Sequence, residues 1–289
     1  MISAEVILDT DNQFGHRITT MRLRMPRYIL AQFNTHRVFS RNTSSSRAVP
    51  TAKLVEQVRL QPFMPIGVAK NGSGMLPKEE LPEELQAKFL EDWGDLGQIV
   101  ADFVEKWAEM GVHKQHANRA LEPWLMCEVL VTSTEWENFF KQRCHDAQPE
   151  MCDLACKMRD ALEQSTPKRR VFHLPFVTDE EMKIVLKGVD IYNLSNDNNQ
   201  KVTEAFIKLG LISAGRCCRV SYLRTDAEST AEEAYKRGKM LVDLNHWSPL
   251  EHQATNYDTC LGTESGNLKG FFQLRQLLDF QTNFQPIKE

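Results

Sequence analysis

A run of large apolar side chains at intervals of three and four residues occupies the middle of the chain. The run consists of Leu85, Phe89, Trp93, Leu96, Val100, Phe103, Trp107 and Met110, and Gly111 follows it. This spacing places the side chains along one face of a helix, and a glycine commonly ends a helix. We therefore predict a long amphipathic helix over residues 83–110, which needs other elements to pack against it.

Alternation of apolar and basic side chains marks residues 17–25 as a strand. The methionine and leucine side chains fall on one side of the chain and the arginines between them on the other, which is the period of a strand. Pro26 ends this strand and opens a short helix through residues 28–32. Further strands are predicted over residues 4–8, 171–177 and 218–223.

Two further helices are predicted from their starting residues and their apolar positions. The first begins near residues 146–149, and its buried positions are Met151, Ala155, Met158 and Leu162. The second begins at Ser229 and Glu232, which have the spacing of a capping box, and runs to about Leu244. Because strands and helices follow one another along the chain, we predict an α/β (α+β) fold, with a mixed or antiparallel sheet packed with long helices.

Composition limits the possible partners. Of the 289 residues, 42% are hydrophobic and 26% are charged, as in soluble globular proteins. No apolar stretch reaches the roughly 18 residues of a membrane span, and the first residues lack the pattern of a signal peptide, so we expect a cytoplasmic protein. The net charge of -4 argues against a nucleic-acid polymer as the partner. Residues 1–60 nevertheless hold nine Arg or Lys against four acids, which favours a small phosphorylated ligand.

Common signatures of chemistry are absent from the sequence. It contains no glycine-rich dinucleotide or phosphate loop, no zinc-protease motif and no Gly-x-Ser-x-Gly motif. The seven cysteines have irregular spacing, which is typical of free thiols. Cys144, His145, Cys152 and Cys156 form a faint metal pattern. Their Met and Ala neighbours favour thiols beside a core instead, so no metal is predicted.

A cluster of cationic and hydroxyl side chains follows the short helix. It comprises His36, Arg37, Ser45, Ser46 and Arg47. Such a loop can bind a phosphate through charge-assisted and neutral hydrogen bonds. On composition alone, a solvated loop without a ligand explains it equally well.

Five blocks of the sequence together resemble one family. Thr35-His36-Arg37, seven residues and then Ser45, Ser46 and Arg47 resemble the signature of flavin-dependent thymidylate synthases, Arg-His-Arg, seven residues, Ser, x, Arg. Other blocks resemble the family's Arg-Val-Ser-Tyr, His-x-Ser/Thr-Pro-Phe-Glu-His, Arg-x-x-Leu-Pro and Asn-Phe-Leu-Asn-Leu-Arg motifs. They are residues 216–222, 246–252, 119–123 and 138–143.

The chain departs from the family in block order and in three residues. The blocks at residues 216–222 and 246–252 precede the Arg-His-Arg block in the family but follow it here, which is the order of a circular permutation. Residues 216–252 must then pack against residues 17–47 to rebuild one site. Thr35, Thr43 and Ala48 replace an Arg, a Glu and a Tyr of the family.

The resemblance implies a division of the single domain, residues 1–289, into blocks. These are a nucleotide and flavin loop block (1–60), an inserted mobile loop and long helix (61–115), a nucleotide-binding helical block (116–165) and a permuted flavin-binding block (216–289). It also implies a homotetramer, and we expect the helix over residues 83–110 near its interface.

The function implied by the resemblance is thymidylate synthesis. Reduced FAD would move a one-carbon unit from methylene-tetrahydrofolate to C5 of dUMP, giving dTMP, with NADPH as the reductant. The substrate phosphate would be held by Gln32, Ser45, Ser46, Arg47 and Arg119. Arg143 would bind and polarise the base, and the flavin contacts would be His36, Arg37, Asn138, His246, Ser248 and Glu251.

Each of these residues also has a purely structural interpretation. His246 would offset the dipole at a helix C-terminus, Ser248 and Pro249 would end that helix, and Glu251 and His252 would be exposed at a strand end. Trp136 and Phe139 are predicted to be core residues rather than flavin platforms. Asn138 and Arg143 lie five apart on a helix, which suits a joint site but also a solvated flank.

Two further functions remain open at this point. One is methylation or hydroxymethylation of another pyrimidine nucleotide, such as dCMP. The other is a catalytically silent subunit that only binds a nucleotide.

Overall fold

The computed structural model describes residues 1–12, 14–73, 79–145, 147–191, 195–222, 229–256 and 267–282. The strands are β1 (Ser3–Asp11), β2 (Arg17–Pro26), β3 (Ser40–Thr43), β4 (Met126–Ser133), β5 (Lys168–Arg169), β6 (Phe172–His173), β7 (Ala254–Thr255) and β8 (Phe272–Gln273). The helices are α1 (Leu30–Phe33), α2 (Thr51–Leu60), α3 (Glu83–Glu109), α4 (Lys114–Ala117), α5 (Glu137–Arg143), α6 (Pro149–Gln164), α7 (Asp179–Val185), α8 (Asn196–Cys217), α9 (Ala231–Asp243) and α10 (Leu274–Thr282). Short 3₁₀ helices occupy Arg27–Ile29, Asn118–Trp124, Cys218–Tyr222 and Ser248–Glu251.

Five strands form the main sheet in the order β3-β4-β2-β1-β5. The pairs among β3, β4, β2 and β1 are antiparallel, and β5 joins β1 in parallel. In the centre of the sheet, Met21 of β2 lies opposite Val6 of β1 and Val131 of β4. The predicted strands at residues 4–8 and 17–25 are confirmed, and so is the α/β fold with a mixed sheet and long helices.

One face of the sheet is covered by α6. Met151, Ala155 and Met158 of α6 are buried in the same apolar cluster as Met21 and Leu23 of β2. The helix begins with Pro149, whose fixed backbone angle suits the first helical turn. The prediction of this helix and of its buried face is confirmed, although Leu162 is only partly buried.

The long helix α3 is confirmed, but most of its apolar stripe does not face the protein. Ala101 and Val104 are buried beside α2 and the 3₁₀ helix Asn118–Trp124. Gly97 allows the Trp124 ring to approach, because a Cβ there would lie 2.9 Å from the indole nitrogen. Trp93, Val100 and Trp107 of the predicted stripe are partly buried against the same cluster. The other predicted positions are exposed: Leu85, Phe89, Leu96, Phe103 and Met110. α3 packs mainly on α2, α4 and the 3₁₀ helix Asn118–Trp124, and these short elements cover only part of its apolar face.

A second apolar cluster lies in the C-terminal part of the chain. It gathers side chains of α8, α9 and α10 around the three-stranded sheet β6-β7-β8. α8 and α9 cross at two glycines, because a Cβ on Gly215 would collide with the backbone of Ala234, and one on Gly238 with the backbone of Leu211. Only glycine permits this closeness of two helix backbones.

Three local predictions are wrong in this C-terminal part. Residues 218–222 form a 3₁₀ helix that continues α8, rather than a strand, and residue 223 lies outside the described residues. The strand predicted over residues 171–177 is reduced to Phe172–His173, because the chain turns at Phe176, whose φ is 63°.

The third correction concerns the start of α9. Thr230 and Glu233 form its capping box, one residue later than the predicted pair of Ser229 and Glu232. Ser229 is buried, and its carbonyl accepts a hydrogen bond from Arg216. Ser229 is held by this contact before the helix begins, and Thr230 occupies the capping position.

A buried chain of hydrogen bonds joins the main sheet to the C-terminal part. His173 contacts Thr10 through Nδ1 (2.9 Å) and Thr20 through Nε2 (2.8 Å). Thr20 contacts Thr132 (2.6 Å), which in turn contacts Nδ1 of His252 (2.8 Å). All five residues are fully buried, so the structural alternative of an exposed strand-end residue does not hold for His252.

Candidate functional site

β3 and the segment after it form the centre of the candidate site, with side chains that alternate between two sides. Asn42, Ser44 and Ser46 are buried, whereas Ser45 is half-buried and Arg47 is exposed. The Asn42 amide donates to the carbonyl of Cys217 (2.9 Å), and Ser44 Oγ accepts from the backbone N–H of Glu128 (3.0 Å). The buried members hold the segment in place, so that the alternate members point outward.

Ser46, predicted to bind phosphate directly, takes part in an internal cluster. One oxygen of Glu122, Oε1, accepts from Ser46 Oγ (2.6 Å), Arg27 Nε (2.9 Å) and Arg119 Nη1 (2.9 Å). Burial raises the pKa of Glu122, but these hydrogen bonds and the two guanidinium charges outweigh it and lower the pKa below its usual value. Glu122 is therefore ionised at neutral pH.

His36 and Arg143 are brought together from parts of the chain 107 residues apart. Arg143 Nε donates to His36 Nε2 at 3.0 Å, so Nε2 carries no hydrogen and the imidazole is neutral. Burial, followed by the charges of Arg143 and Arg41, lowers the pKa of His36. The ring also packs edge-on against Phe139, with centroids 4.8 Å apart.

Arg41 of β3 fixes the loop that carries His36. Its Nη1 donates to the carbonyls of Asn34 (2.9 Å) and His36 (3.0 Å) and is close to that of Phe33 (3.4 Å). Burial lowers the pKa of Arg41, and the charge of Glu251 opposes that shift. Arg41 thus lies between the His36 loop and the block at residues 246–252.

That block packs on the other side of β3. Ser248 Oγ lies 3.4 Å from Asn42 Oδ1, and Glu251 forms an ion pair with Arg275. Arg275 in turn lies over the ring of Trp247, 5.7 Å from its centroid. The packing of residues 216–252 against residues 17–47, which a permuted block order requires, is confirmed by these contacts and by the Asn42 bond to Cys217.

The other predicted site residues form few or no side-chain hydrogen bonds within the described residues. Gln32 donates to Gln148 (2.8 Å). Arg37, Asn138 and His246 are exposed, and their side chains form no hydrogen bond within the described part of the chain. Trp136 and Phe139 are buried in the main apolar cluster, as predicted.

The cysteine cluster is not arranged as a metal site. Cys152 Sγ donates to the carbonyl of Cys144 (2.7 Å), and burial raises the pKa of the Cys144 thiol to about 11. Among the described residues, no three His, Cys, Asp or Glu side chains are grouped to hold a metal ion. The helices of this same part of the chain include none long and apolar enough to cross a membrane.

Sequence reasoning missed three residues of this region, Arg27, Glu122 and His173, and assigned no role to His252. Of the three, only Glu122 gave a signal, because it occupies the Leu position of the block that resembles Arg-x-x-Leu-Pro. The others depend on partners in distant elements, which no local pattern reveals.

Residues 10–168 match the family described as thymidylate synthase complementing protein. The match spans more than half of the chain, includes the blocks around His36, Arg119 and Arg143, and ends before residues 216–252. The chain therefore belongs to this family, the flavin-dependent thymidylate synthases, as its sequence blocks predicted. It is an enzyme of the methyltransferase type.

Solved structures similar to this chain include two of a UMP/dUMP methylase, PolB from Streptomyces cacaoi. The one bound with 5-Br dUMP is 13% identical with a TM-score of 0.43, and covers 57% of this chain and 90% of its own. The one bound with 5-Br UMP is 12% identical with a TM-score of 0.44, and covers 57% of this chain and 89% of its own. No curated protein in the comparison matches the chain.

Proposed function

We propose that this protein transfers a one-carbon unit from methylene-tetrahydrofolate to C5 of dUMP, giving dTMP, with FAD as cofactor and NADPH as reductant. The contact between His36 and Arg143 carries the proposal. It joins a residue that the family resemblance assigns to the flavin with one that it assigns to the base. A cofactor and a substrate that react must lie side by side, and this contact provides such a place.

Arg143 would polarise the base. Its Nε donates to His36, and its two terminal nitrogens form no hydrogen bond in the described part of the chain. A guanidinium held against the uracil oxygens and N3 stabilises the negative charge that develops there as C5 becomes electron-rich. The neutral imidazole of His36 holds the guanidinium without neutralising its charge.

The nucleotide phosphate would be bound by the outward side chains of the segment after β3. Ser45 and Arg47 form no side-chain hydrogen bond within the described residues, so their donors are available. Arg119 and Gln32 complete the set that the resemblance implies. Ser46 would act from within the protein, through Glu122.

The residues that the resemblance assigns to FAD fit a polar cofactor. Arg37, Asn138 and His246 are exposed polar groups without internal partners among the described residues, and they suit the diphosphate and ring carbonyls of a flavin. Ser248 lies beside β3, and the Glu251 carbonyl accepts from the Gln273 amide, which also donates to Ser40 of β3. When bound, FAD supplies the redox chemistry of the reaction, while the protein orients it.

A circular permutation and a homotetramer belong to the same proposal. The contacts between β3 and residues 246–252 support the permutation, because they rebuild one site from blocks in altered order. The exposed apolar side chains of α3 support assembly, since an apolar stripe of this length gains from being covered. A cytoplasmic location is part of the proposal.

The function is tested by incubating the protein with FAD, NADPH, methylene-tetrahydrofolate and either dUMP or dCMP. The molecular mass of the nucleotide product is then measured by mass spectrometry. We expect methylated dUMP. A product heavier by one oxygen, or one derived from dCMP, would support the alternative pyrimidine chemistry. Failure to bind FAD would favour a catalytically silent nucleotide-binding subunit.

Arg143→Ala tests the assignment of the base-binding residue. We expect it to abolish turnover while FAD stays bound, because the proposed contact is to the substrate. Lys141→Ala is the matched control, since Lys141 is an exposed cation on the same helix. Near-normal turnover of Arg143→Ala would contradict the assignment.

A further inference from the structure

We propose that Glu122 positions Arg119 for the substrate phosphate, a role that rests on the proposed function. The phosphate would then bind to the Arg119 guanidinium, which the Glu122 carboxylate holds in position. Glu122 would not touch the nucleotide. It acts only through Arg119.

Glu122 bridges the interior and the surface. Two of its three donors lie inside, because the Arg27 side chain is 11% exposed and Ser46 is 4% exposed. The third, the Arg119 side chain, is 52% exposed. A carboxylate anchored by two inner donors therefore presents one fixed oxygen to the outer guanidinium.

The local backbone holds this arrangement together. Arg119 and Glu122 belong to the 3₁₀ helix Asn118–Trp124, in which residues three apart lie directly above each other. Asn118 Nδ2 ties the start of that helix to the carbonyls of Ser46 (2.8 Å) and Val49 (3.1 Å). The helix that carries Arg119 is thereby fixed to the segment that carries the outward phosphate donors.

The charges of the cluster suit an anion. Two guanidiniums face one carboxylate, so the cluster keeps one net positive charge. Arg119 bonds to Glu122 through Nη1 alone, which leaves its other terminal nitrogen for a phosphate oxygen. An arginine whose side chain is already ordered loses less conformational entropy when it binds a ligand.

Glu122 is also a departure of this chain from the family motif. A leucine, which the motif has at this position, accepts no hydrogen bond and could not hold Arg119 in this way. Glu122→Leu therefore restores the family residue and removes the anchor in one step. Glu122→Gln keeps an acceptor oxygen of the same shape and removes the charge.

The test is a double-mutant cycle on binding, measured by calorimetric titration of the FAD-loaded protein with dUMP and with deoxyuridine. We expect Glu122→Leu to weaken dUMP binding about tenfold, which corresponds to about 1.4 kcal/mol, and to leave deoxyuridine binding unchanged. Glu122→Gln should lose less. In an Arg119→Ala background, Glu122→Leu should add almost nothing, because the residue through which it acts is gone.

A control and a fallback variant separate this role from general damage. Glu128→Leu removes a comparable carboxylate, which lies 3.9 Å from Arg24, and should leave dUMP binding unchanged. If Glu122→Leu does not fold, because it leaves Arg27 buried without its carboxylate partner, the cycle is run with Glu122→Gln.

The proposal is overturned if Glu122 substitutions weaken dUMP and deoxyuridine equally. It is equally overturned if their effects add fully to that of Arg119→Ala. A wild-type protein that binds no dUMP would instead show the proposed function to be wrong. The two failures are therefore distinguishable.

Discussion

The main sheet with its helices (residues 3–169, the sheet region) and the C-terminal part (residues 171–278, the helical region) are stabilised in different ways. The sheet region has long antiparallel ladders and an apolar cluster that α6 covers along its length. The helical region has two-residue strands and a helix pair that crosses at Gly215 and Gly238. The first is joined by long hydrogen-bonded strand ladders, whereas the second depends on the close approach of two helix backbones. A single substitution should therefore affect the two regions unequally.

The largest effect of a single substitution is expected from Gly238→Ala. The added methyl group would collide with the backbone of Leu211, which cannot move without separating α8 from α9. We expect the free energy of unfolding to fall by about 3 kcal/mol, measured by urea denaturation. Gly94→Ala in α3 is the control, because the nearest atom there is a side-chain methyl 4.0 Å away, and alanine favours a helix by up to about 1 kcal/mol. Equal effects of the two substitutions would remove the contrast between the regions.

Mild acid should weaken the junction between the regions. Burial lowers the pKa of His173 and of His252 to about 3, whereas an unfolded histidine titrates near 6.5. The unfolded chain therefore binds more protons below about pH 6.5, and stability falls as the pH decreases from there toward about 3.

At pH 5, each buried histidine should lower the free energy of unfolding by about 2 kcal/mol relative to pH 7.5. Urea titrations at the two pH values measure this loss, and His173→Gln should reduce it. Asp9, whose pKa lies below the usual 3.8 despite its burial, contributes only at lower pH. An unchanged stability between pH 7.5 and 5 would contradict the neutral, buried state of both rings.

Arg47→Ala should affect function in the sheet region without affecting its stability. The side chain is exposed and has no internal partner among the described residues. We expect dUMP binding to weaken by at least about tenfold, or about 1.4 kcal/mol, and deoxyuridine binding to change little. Calorimetric titration with both ligands measures the difference. Equal losses would exclude Arg47 from the phosphate site.

A small effect on stability is also expected on the outer face of α3. Leu96 and Phe103 are about half exposed, at 49% and 51%, so Leu96→Gln with Phe103→Gln should change the free energy of unfolding of one subunit by no more than about 0.5 kcal/mol. The same pair should shift the assembly toward smaller species in sedimentation experiments, since the proposed interface loses its apolar contacts. Unchanged assembly would show that this face is not an interface.

The contrast between the regions also explains which structural predictions from sequence are confirmed. Strand β2 and helix α6 follow their periodic patterns, because each buries one regular face in one large cluster. The strand predicted over residues 218–223 is wrong, since its β-favouring residues instead continue the end of α8 in a 3₁₀ helix. The cap of α9 shifted by one residue, because Ser229 and Thr230 satisfy the same local rule and only the Arg216 contact separates them.

In the candidate site, too, some features could be predicted from the sequence and others could not. The resemblance selected both His36 and Arg143, and the structure places them in contact. It could not indicate the anchoring of Arg119, which depends on Arg27 from the 3₁₀ helix after β2 and on Ser46 from the segment after β3. Nor could it show that His252 is buried, because its partner Thr132 lies 120 residues away.

The buried chain from Thr10 to His252 limits the directions in which its hydrogens can point. Each threonine hydroxyl has one hydrogen to donate, and each neutral imidazole has one N–H. Thr20 and Thr132 each take part in two of the bonds, so each can donate in only one of them. If Thr10 accepts from Nδ1 of His173, Thr20 must donate to Nε2 of His173, Thr132 to Thr20, and Nδ1 of His252 to Thr132.

In that arrangement Nδ1 of His252 carries the hydrogen and Nε2 is a bare acceptor. If every hydrogen points the opposite way instead, Nε2 becomes an N–H donor. A Thr10 hydroxyl in β1 that accepts from His173 thus fixes the polarity of a ring nitrogen at the other end of the chain of hydrogen bonds, although no heavy atom has to move.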